Sequence, residues 1–184
     1  VGEDGAYEWI VVDGRSVELM RFVAGQGFER RKAGVELPAG TKVAGCAVGD
    51  FHDDVPTGEK YDAKVHARND VLLLGSTGVR LLKRTGPNEL ADVTEAAGLG
   101  TIHATAARWV DYEHDGDLDL AMGGAEGLSL WQNNGDGRFE NVTARVGITP
   151  TGPVTDVVAA DLDENTAVDL VVARGSEPTL VFEN

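Results

Sequence analysis

Five carboxylates occupy alternate positions in one short stretch of the chain, DYEHDGDLDL. They are Asp111, Glu113, Asp115, Asp117 and Asp119. Oxygen ligands on alternate loop residues, with a glycine for a sharp turn, are typical of sites for Ca²⁺, which takes roughly six to eight oxygens. The spacing therefore predicts a calcium loop, in which Gly116 makes the turn and residue 117 offers its backbone carbonyl.

The pattern differs from that of an EF-hand, which needs a bidentate Glu at the twelfth position of the loop. Here that position is Met122, inside an apolar, strand-like run. The loop is therefore interpreted as a connection between two strands. Mg²⁺ is less favoured than Ca²⁺, because it prefers to keep several waters. A solvated acidic turn is the alternative, but it leaves the alternate spacing combined with Gly116 without an explanation.

A second loop, DLDENTAVD, repeats the pattern with more departures. Its candidate ligands are Asp161, Asp163, Asn165 and Asp169. Ala167 offers a carbonyl, but Thr166 replaces the turn glycine, and non-glycine residues disfavour positive φ. We predict a weaker calcium site here; the alternative is a loop whose Asp side chains cap backbone amides.

A third acidic segment, DFHDDVPTG, is interrupted by an insertion of 12 residues and is the least favoured of the three. Its candidate ligands are Asp50, Asp54 and Asp70. The histidines lack a zinc spacing such as H-E-x-x-H and are interpreted as surface or loop residues. They are His52, His66, His103 and His114.

The acidic loops belong to an internal repeat of about 50 residues. Asp70, Asp119 and Asp169 are equivalent and lie 49 and 50 residues apart. The first two copies stay in register without a gap, so that DVT at 92–94 aligns with NVT at 141–143. A degenerate fourth copy opens the chain with VVDGRSVELMRF.

Each repeat is predicted to contain four short strands. Residues 104–111 and 118–123, on either side of the acidic loop, are the first two predicted strands. GLSLWQNN is the third, because its apolar and polar residues alternate. RFENVT, which follows a hairpin turn rich in Asn and Gly, is the fourth. TEAAG and TARVG are each interpreted as one helical turn, capped by Thr94 or Thr143. The alternative makes NELADVTEAAGL a single amphipathic helix. Repeats of four strands predict β-propeller blades.

We therefore predict an all-β fold of antiparallel blades with about three and a half repeats. A single propeller region would span residues 1–184, with blade pieces at about 1–36, 37–98, 99–148 and 149–184. The first piece is degenerate and partial, and the last is partial. Because the strands do not add up to whole four-stranded blades, we expect a segment of a larger, seven-bladed propeller; the alternative is an open array whose ends need partners.

The loop DYEHDGDLDL, followed by NNGDGRFENVTARVGI, resembles the VCBS/FG-GAP repeats of bacterial surface proteins. It is most similar to the ASPIC/UnbV-type group, whose DVT-x-x-A-G-L tail LADVTEAAGL matches nearly intact. The resemblance covers roughly residues 43–184, and integrin α-subunit propellers carry a similar loop. It implies a calcium-binding β-propeller, commonly seven-bladed, in exported proteins. Glu113 departs from the family pattern, which usually has Asp or Asn there.

Composition limits the partners. The formal net charge of −15 argues against nucleic acid and anionic membranes as partners. The sequence contains no apolar run of about 18 residues, so membrane insertion is not predicted. At 42% hydrophobic residues the chain is globular. Cys46, the only cysteine, lies in the apolar run KVAGCAVGDF and is predicted to be a buried small hydrophobe.

We expect a calcium-binding scaffold or interaction module of an exported or cell-surface protein, extracellular or periplasmic, with an unknown protein or carbohydrate ligand. The sequence starts at Val1 without an initiator Met, so we expect either that a signal peptide has been removed or that the sequence is cut from a longer one. We expect the rest of the propeller to come from the same longer chain. The alternative is the propeller domain of a polysaccharide-active lyase or sugar dehydratase. No nucleophile elbow or phosphate loop is visible, so we do not predict an enzyme.

Overall fold

The computed structural model describes residues 8–52, 69–86, 88–149 and 152–184. These residues form fourteen strands and no helix. Within them, accordingly, no helix is long and apolar enough to cross a membrane. The strands form four antiparallel sheets that follow one another along the chain.

The first sheet contains β1 (Glu8–Asp13), β2 (Ser16–Val23) and β3 (Gly27–Glu36). The second contains β4 (Val43–Gly49), β5 (Asp70–Gly75), β6 (Gly78–Gly86) and β7 (Glu89–Asp92). The third contains β8 (Ala106–Val110), β9 (Asp119–Gly124), β10 (Gly127–Asn133) and β11 (Phe139–Asn141). The fourth contains β12 (Asp156–Ala160), β13 (Asp169–Arg174) and β14 (Glu177–Phe182). Strands pair in chain order within each sheet.

The predicted all-β fold of antiparallel repeat units is confirmed, with four strands in the second and third sheets and three in each of the others. The single helix considered for NELADVTEAAGL is wrong, because its first half is strand β7 and its second half is a turn. Leu90 points from β7 into the core between the first two sheets, and this burial favours the strand.

Apolar side chains fill the space between successive sheets. The core between the second and third sheets contains Leu72, Leu81, Leu120 and Met122, all at most 1% exposed. Separate clusters lie between the other neighbouring pairs of sheets. The leading strands of the last three sheets also contact one another, β4 with β8 and β8 with β12. The sheets therefore stack side by side, as blades do.

The tail of each complete repeat is held by side chains. Asp92 Oδ1 accepts a hydrogen bond from the Thr94 amide at 3.0 Å, and Asn141 Oδ1 accepts one from the Thr143 amide at 3.1 Å. Both threonine hydroxyls in turn accept a backbone amide from the third strand of their sheet. The caps are therefore Asp92 and Asn141, while the threonines fasten the turn to the sheet.

The prediction that Cys46 is buried is wrong, because its side chain is exposed. Successive strand residues point to opposite faces, so that Ala47 enters the core while Cys46 points away from it. The first sheet contacts the second through β3 and β7 and leaves the face of β4 open. Cys46 instead lines a cavity of about 720 Å³ with Trp9 and Val48.

Candidate metal-binding loops

The acidic loops connect the first and second strands of neighbouring sheets. Loop 111–118 joins β8 to β9, and loop 161–168 joins β12 to β13. His114 Nε2 lies 3.1 Å from the carbonyl oxygen of Thr166, so the two loops touch. The stacked sheets therefore place both loops on the same rim.

Asp119, the last carboxylate of its loop, is fully buried and binds two backbone amides. Its Oδ1 accepts a hydrogen bond from the Asn133 amide at 2.8 Å, and its Oδ2 accepts one from the Tyr112 amide at 3.1 Å. The carboxylate thus ties the start of the loop to the end of β10. Each carboxylate oxygen has two lone pairs, so a metal contact is still available.

The same arrangement recurs in the neighbouring sheets. Asp70 and Asp169 are also fully buried, and each accepts two backbone amides. The donors are Phe51 and Arg84 for the first, and Leu162 and Asn184 for the second. The closing Asp of each loop is therefore a structural residue as well as a candidate ligand.

Asn133 is a site residue that the sequence reading missed. It is 1% exposed, and its Nδ2 donates to the Phe51 carbonyl of the preceding loop at 2.6 Å. Asn184 repeats the contact, donating from Nδ2 to the Tyr112 carbonyl at 2.7 Å. The recurrence of Asn at the end of β10 and two residues after β14 was the available signal. Asn133 thus links the loop after β4 to the third sheet, and Asn184 links the loop after β8 to the fourth sheet.

Burial raises the pKa of Asp119 from 3.8 to about 6, and the charges of Glu113 and Asp115 add to the rise. The hydrogen bonds from the Asn133 and Tyr112 amides act in the opposite direction and offset part of it. Without a cation, ionised Asp119 is therefore unfavourable in the fold. A bound cation would favour its charged form.

We expect the metal-free protein to lose stability as the pH rises through 6. The folded-state pKa of Asp119, about 6, lies above its unfolded value of 3.8, so folding favours the protonated form. This contribution is complete below the unfolded pKa and is lost as pH rises through the folded pKa. In chelator, the melting temperature of the wild type minus that of Asp119→Asn should fall by a few degrees between pH 5 and 7.5. A difference that is flat or rises with pH would contradict the assignment.

In loop 111–118 the carboxylates also bind the loop's own backbone. Asp111 accepts hydrogen bonds from the amides of Asp115 and Gly116, both at 3.1 Å. Glu113 accepts a hydrogen bond from the side chain of Gln132. The longest side chain of the set thus points toward β10. Among the described residues, no three carboxylates of this loop have oxygens within 4.8 Å of one another.

Asp115 and Asp117 complete this set. Asp115 Oδ1 accepts the Asp117 amide at 2.9 Å, and Asp115 is exposed. Asp117 is half-buried, and a Cβ atom on Gly135 would lie 2.9 Å from its Oδ2. A side chain at 135 would displace that carboxylate, and the φ of 73° at Gly135 also favours glycine.

Loop 161–168, which was predicted to be the weaker calcium site, brings its carboxylates closer together than loop 111–118 does. Carboxylate oxygens of Asp161, Asp163 and Asp169 all lie within 4.8 Å of one another. Asn165 Oδ1 accepts the Ala167 amide at 2.7 Å, so that side chain is engaged with the backbone. Three carboxylates at this separation form a donor set suited to a hard cation.

Thr166 adopts positive φ despite being β-branched. Its φ is 75°, and that of the equivalent Gly116 is 96°. Asp161 Oδ2 accepts the Thr166 amide at 2.9 Å, as Asp111 accepts that of Gly116. The expectation that threonine would oppose the turn therefore does not hold, because these hydrogen bonds impose the same backbone path at a conformational cost.

The interrupted loop brings together a mixed donor set. Ligand atoms of Asp50, His52 and Asp70 lie within 4.8 Å, and His52 Nδ1 is 2.8 Å from Asp70 Oδ2. His52 lies in a loop, as predicted, but its side chain is only 9% exposed. His52 fills the position of Glu113 and Asp163 in the other loops. Asp54 and His66 lie outside the described residues.

Residues 111–172 match the family model of the FG-GAP-like repeat. The match begins at the first residue of one acidic loop and includes the whole of the next. It supports an FG-GAP repeat protein, in agreement with the four antiparallel sheets. No curated protein matches the chain in a sequence comparison.

Proposed function

We propose that this chain is a calcium-binding β-propeller scaffold, an interaction module of an exported or cell-surface protein. The gathering of Asp161, Asp163 and Asp169 within 4.8 Å carries the proposal. Like charges at that separation repel, and a divalent cation would relieve the repulsion. The FG-GAP-like repeat over the same loops favours this interpretation.

The donors fit a hard cation. In the second loop, carboxylates of Asp161, Asp163 and Asp169, with the Ala167 carbonyl, would hold it. In the first loop, Asp111, Asp115 and Asp119 would provide carboxylates, with residue 117 contributing its carbonyl. The ion would supply positive charge where the chain supplies only negative charge.

The wider setting is part of the proposal. The sheets would belong to a larger, seven-bladed propeller of the VCBS/FG-GAP type, whose other blades lie in the same longer chain. Surface-loop sites of extracellular modules bind Ca²⁺ with Kd of about 10⁻⁴–10⁻³ M, which requires calcium-rich surroundings outside the cell or in the periplasm. A protein or carbohydrate would be the ligand. No observation on the described residues favours the lyase or dehydratase alternative.

Calcium should raise the melting temperature, and a chelator should reverse the gain. A ligand that binds only the native state adds about 2.7 kcal/mol at 100 times its Kd. For a chain of this size that corresponds to about 5–10 °C. Melting curves in Ca²⁺, in Mg²⁺ and in chelator measure the effect, with Mg²⁺ expected to give the smaller gain. Identical curves in Ca²⁺ and chelator would contradict the proposal.

A further inference from the structure

The loop that follows β4 brings a histidine together with two carboxylates. Ligand atoms of Asp50, His52 and Asp70 all lie within 4.8 Å of one another, and His52 Nδ1 is 2.8 Å from Asp70 Oδ2. The His52 side chain is 9% exposed, and Asp70 is fully buried. The donor set thus combines one nitrogen with two oxygens in a mostly buried place. It differs from the two proposed calcium loops, where every candidate ligand atom is an oxygen.

The backbone between the first two ligands is fixed by the core. Phe51 is 3% exposed, and its ring stacks on that of Trp109 with 5.8 Å between the ring centroids. The Phe51 carbonyl accepts a hydrogen bond from Asn133 Nδ2 at 2.6 Å. The rings of Phe51 and His52 are also in contact, with 5.1 Å between their centroids. The ligands are therefore held near one another by contacts that do not involve a metal, as a prepared binding site requires.

The third ligand is oriented by the backbone. Asp70 Oδ1 accepts the Arg84 amide at 2.7 Å, and Oδ2 accepts the Phe51 amide at 3.3 Å. Two ligands of a tetrahedral Zn²⁺ lie about 3.3 Å apart, given metal–ligand distances of about 2.0–2.1 Å. The 2.8 Å between His52 Nδ1 and Asp70 Oδ2 would therefore have to open only slightly to admit an ion. The imidazole would then carry its proton on Nε2.

The types of donor select the class of metal. Imidazole is a good ligand for Zn²⁺ and other first-row transition ions, whereas Ca²⁺ and Mg²⁺ prefer oxygen ligands. Two carboxylates balance the charge of a divalent ion. Zinc sites with three protein ligands leave a fourth position for water. The set of one imidazole and two carboxylates therefore favours Zn²⁺ over Ca²⁺.

We propose that Asp50, His52 and Asp70 bind a divalent transition-metal ion, for which Zn²⁺ is the best fit. Each Asp provides a carboxylate oxygen, and His52 provides Nδ1. The ion ties the end of β4 to the first residue of β5. A single histidine has no spacing motif, so a search for zinc spacings does not detect such a site. The proposal concerns a different loop and a different class of metal from the calcium sites, and it does not depend on them.

The test is a Zn²⁺ titration of the intact chain in competition with a chromogenic chelator, with Ca²⁺ in excess. The wild type should bind one equivalent of Zn²⁺ at this loop. His52→Asn should bind it at least about a hundredfold less tightly, because loss of a partner behind a metal ligand already costs about 10–100-fold. Asp50→Asn should cost at least about tenfold. Asp70 is left intact, because it holds two backbone amides.

His103→Asn is the matched control, because His103 is exposed and lies outside the cluster. It should bind Zn²⁺ as the wild type does. If the other loops bind no calcium, the comparison of the two histidine variants still assigns Zn²⁺ to this loop, so the two proposals are tested separately.

PNMR of the wild type in Co²⁺ provides a second measurement with the chain unaltered. The paramagnetic ion should shift or broaden the imidazole signals of His52 and leave those of His103 unchanged. Absence of saturable Zn²⁺ binding to the wild type, or equal Zn²⁺ affinities of the wild type and His52→Asn, would overturn the proposal. Unchanged His52 signals in Co²⁺, or displacement of Zn²⁺ by the excess Ca²⁺, would overturn it as well.

Discussion

Replacement of Asn133 by alanine is expected to lower the free energy of unfolding by about 2–4 kcal/mol. Its Nδ2 donates to the carbonyls of Phe51 and Leu118, and its Oδ1 accepts the Gly135 amide. Each buried polar group left without a partner costs about 1–3 kcal/mol. The loss reflects broken contacts between sheets rather than a lost metal ligand, so it should persist in chelator.

Asn134 provides a matched control, because it is the adjacent residue of the same type and is exposed. Asn134→Ala should change the free energy of unfolding by about 0.5 kcal/mol or less. Urea denaturation of both variants in chelator measures the difference. Equal effects of the two substitutions would show that Asn133 does not join the second sheet to the third.

The double substitution Asp161→Asn/Asp163→Asn should abolish calcium binding at the second loop. Each change removes one negative charge from the cluster while preserving side-chain shape. Loss of one charge near a divalent cation costs at least about 1.4 kcal/mol, a factor of about ten in affinity, so the pair should cost about a hundredfold. The calcium-dependent rise in melting temperature should fall accordingly.

Glu164→Gln is the control for net charge. Glu164 is exposed in the same loop and is not part of the 4.8 Å cluster. It should retain the wild-type calcium response, apart from a small general electrostatic effect. A loss of response equal to that of the double variant would indicate non-specific charge screening instead of a site.

The repeat made much of the fold predictable. The 49- and 50-residue spacing of Asp70, Asp119 and Asp169, with an apolar run after each, predicted the strands that begin at these residues. Such local patterns predict strands reliably because the two-residue periodicity of a strand determines which of its faces is buried. TEAAG and TARVG were predictable as turns because each ends in a glycine, Gly98 or Gly147, and both glycines have positive φ.

Features that depend on which sheet lies opposite were not predictable. Cys46 lies in an apolar strand, yet its exposure depends on the first sheet leaving the face of β4 open. The His52 side chain is only partly exposed, because it contacts Asp70 from the other side of an insertion. The gathering of Asp161, Asp163 and Asp169 likewise depends on side-chain directions within the loop, whereas sequence favoured the loop with Gly116. Sequence spacing therefore identifies residues that could bind one cation together, but it does not determine whether their side chains point toward one another.

Calorimetric titration of the wild-type chain with Ca²⁺ tests the central claim most directly. We expect saturable binding at two sites, with Kd of about 10⁻⁴–10⁻³ M. A variant carrying Asp111→Asn, Asp115→Asn, Asp161→Asn and Asp163→Asn should give no saturable heat. Absence of saturable binding to the wild type, or an unchanged isotherm for the fourfold variant, would contradict the assignment of these loops as calcium sites.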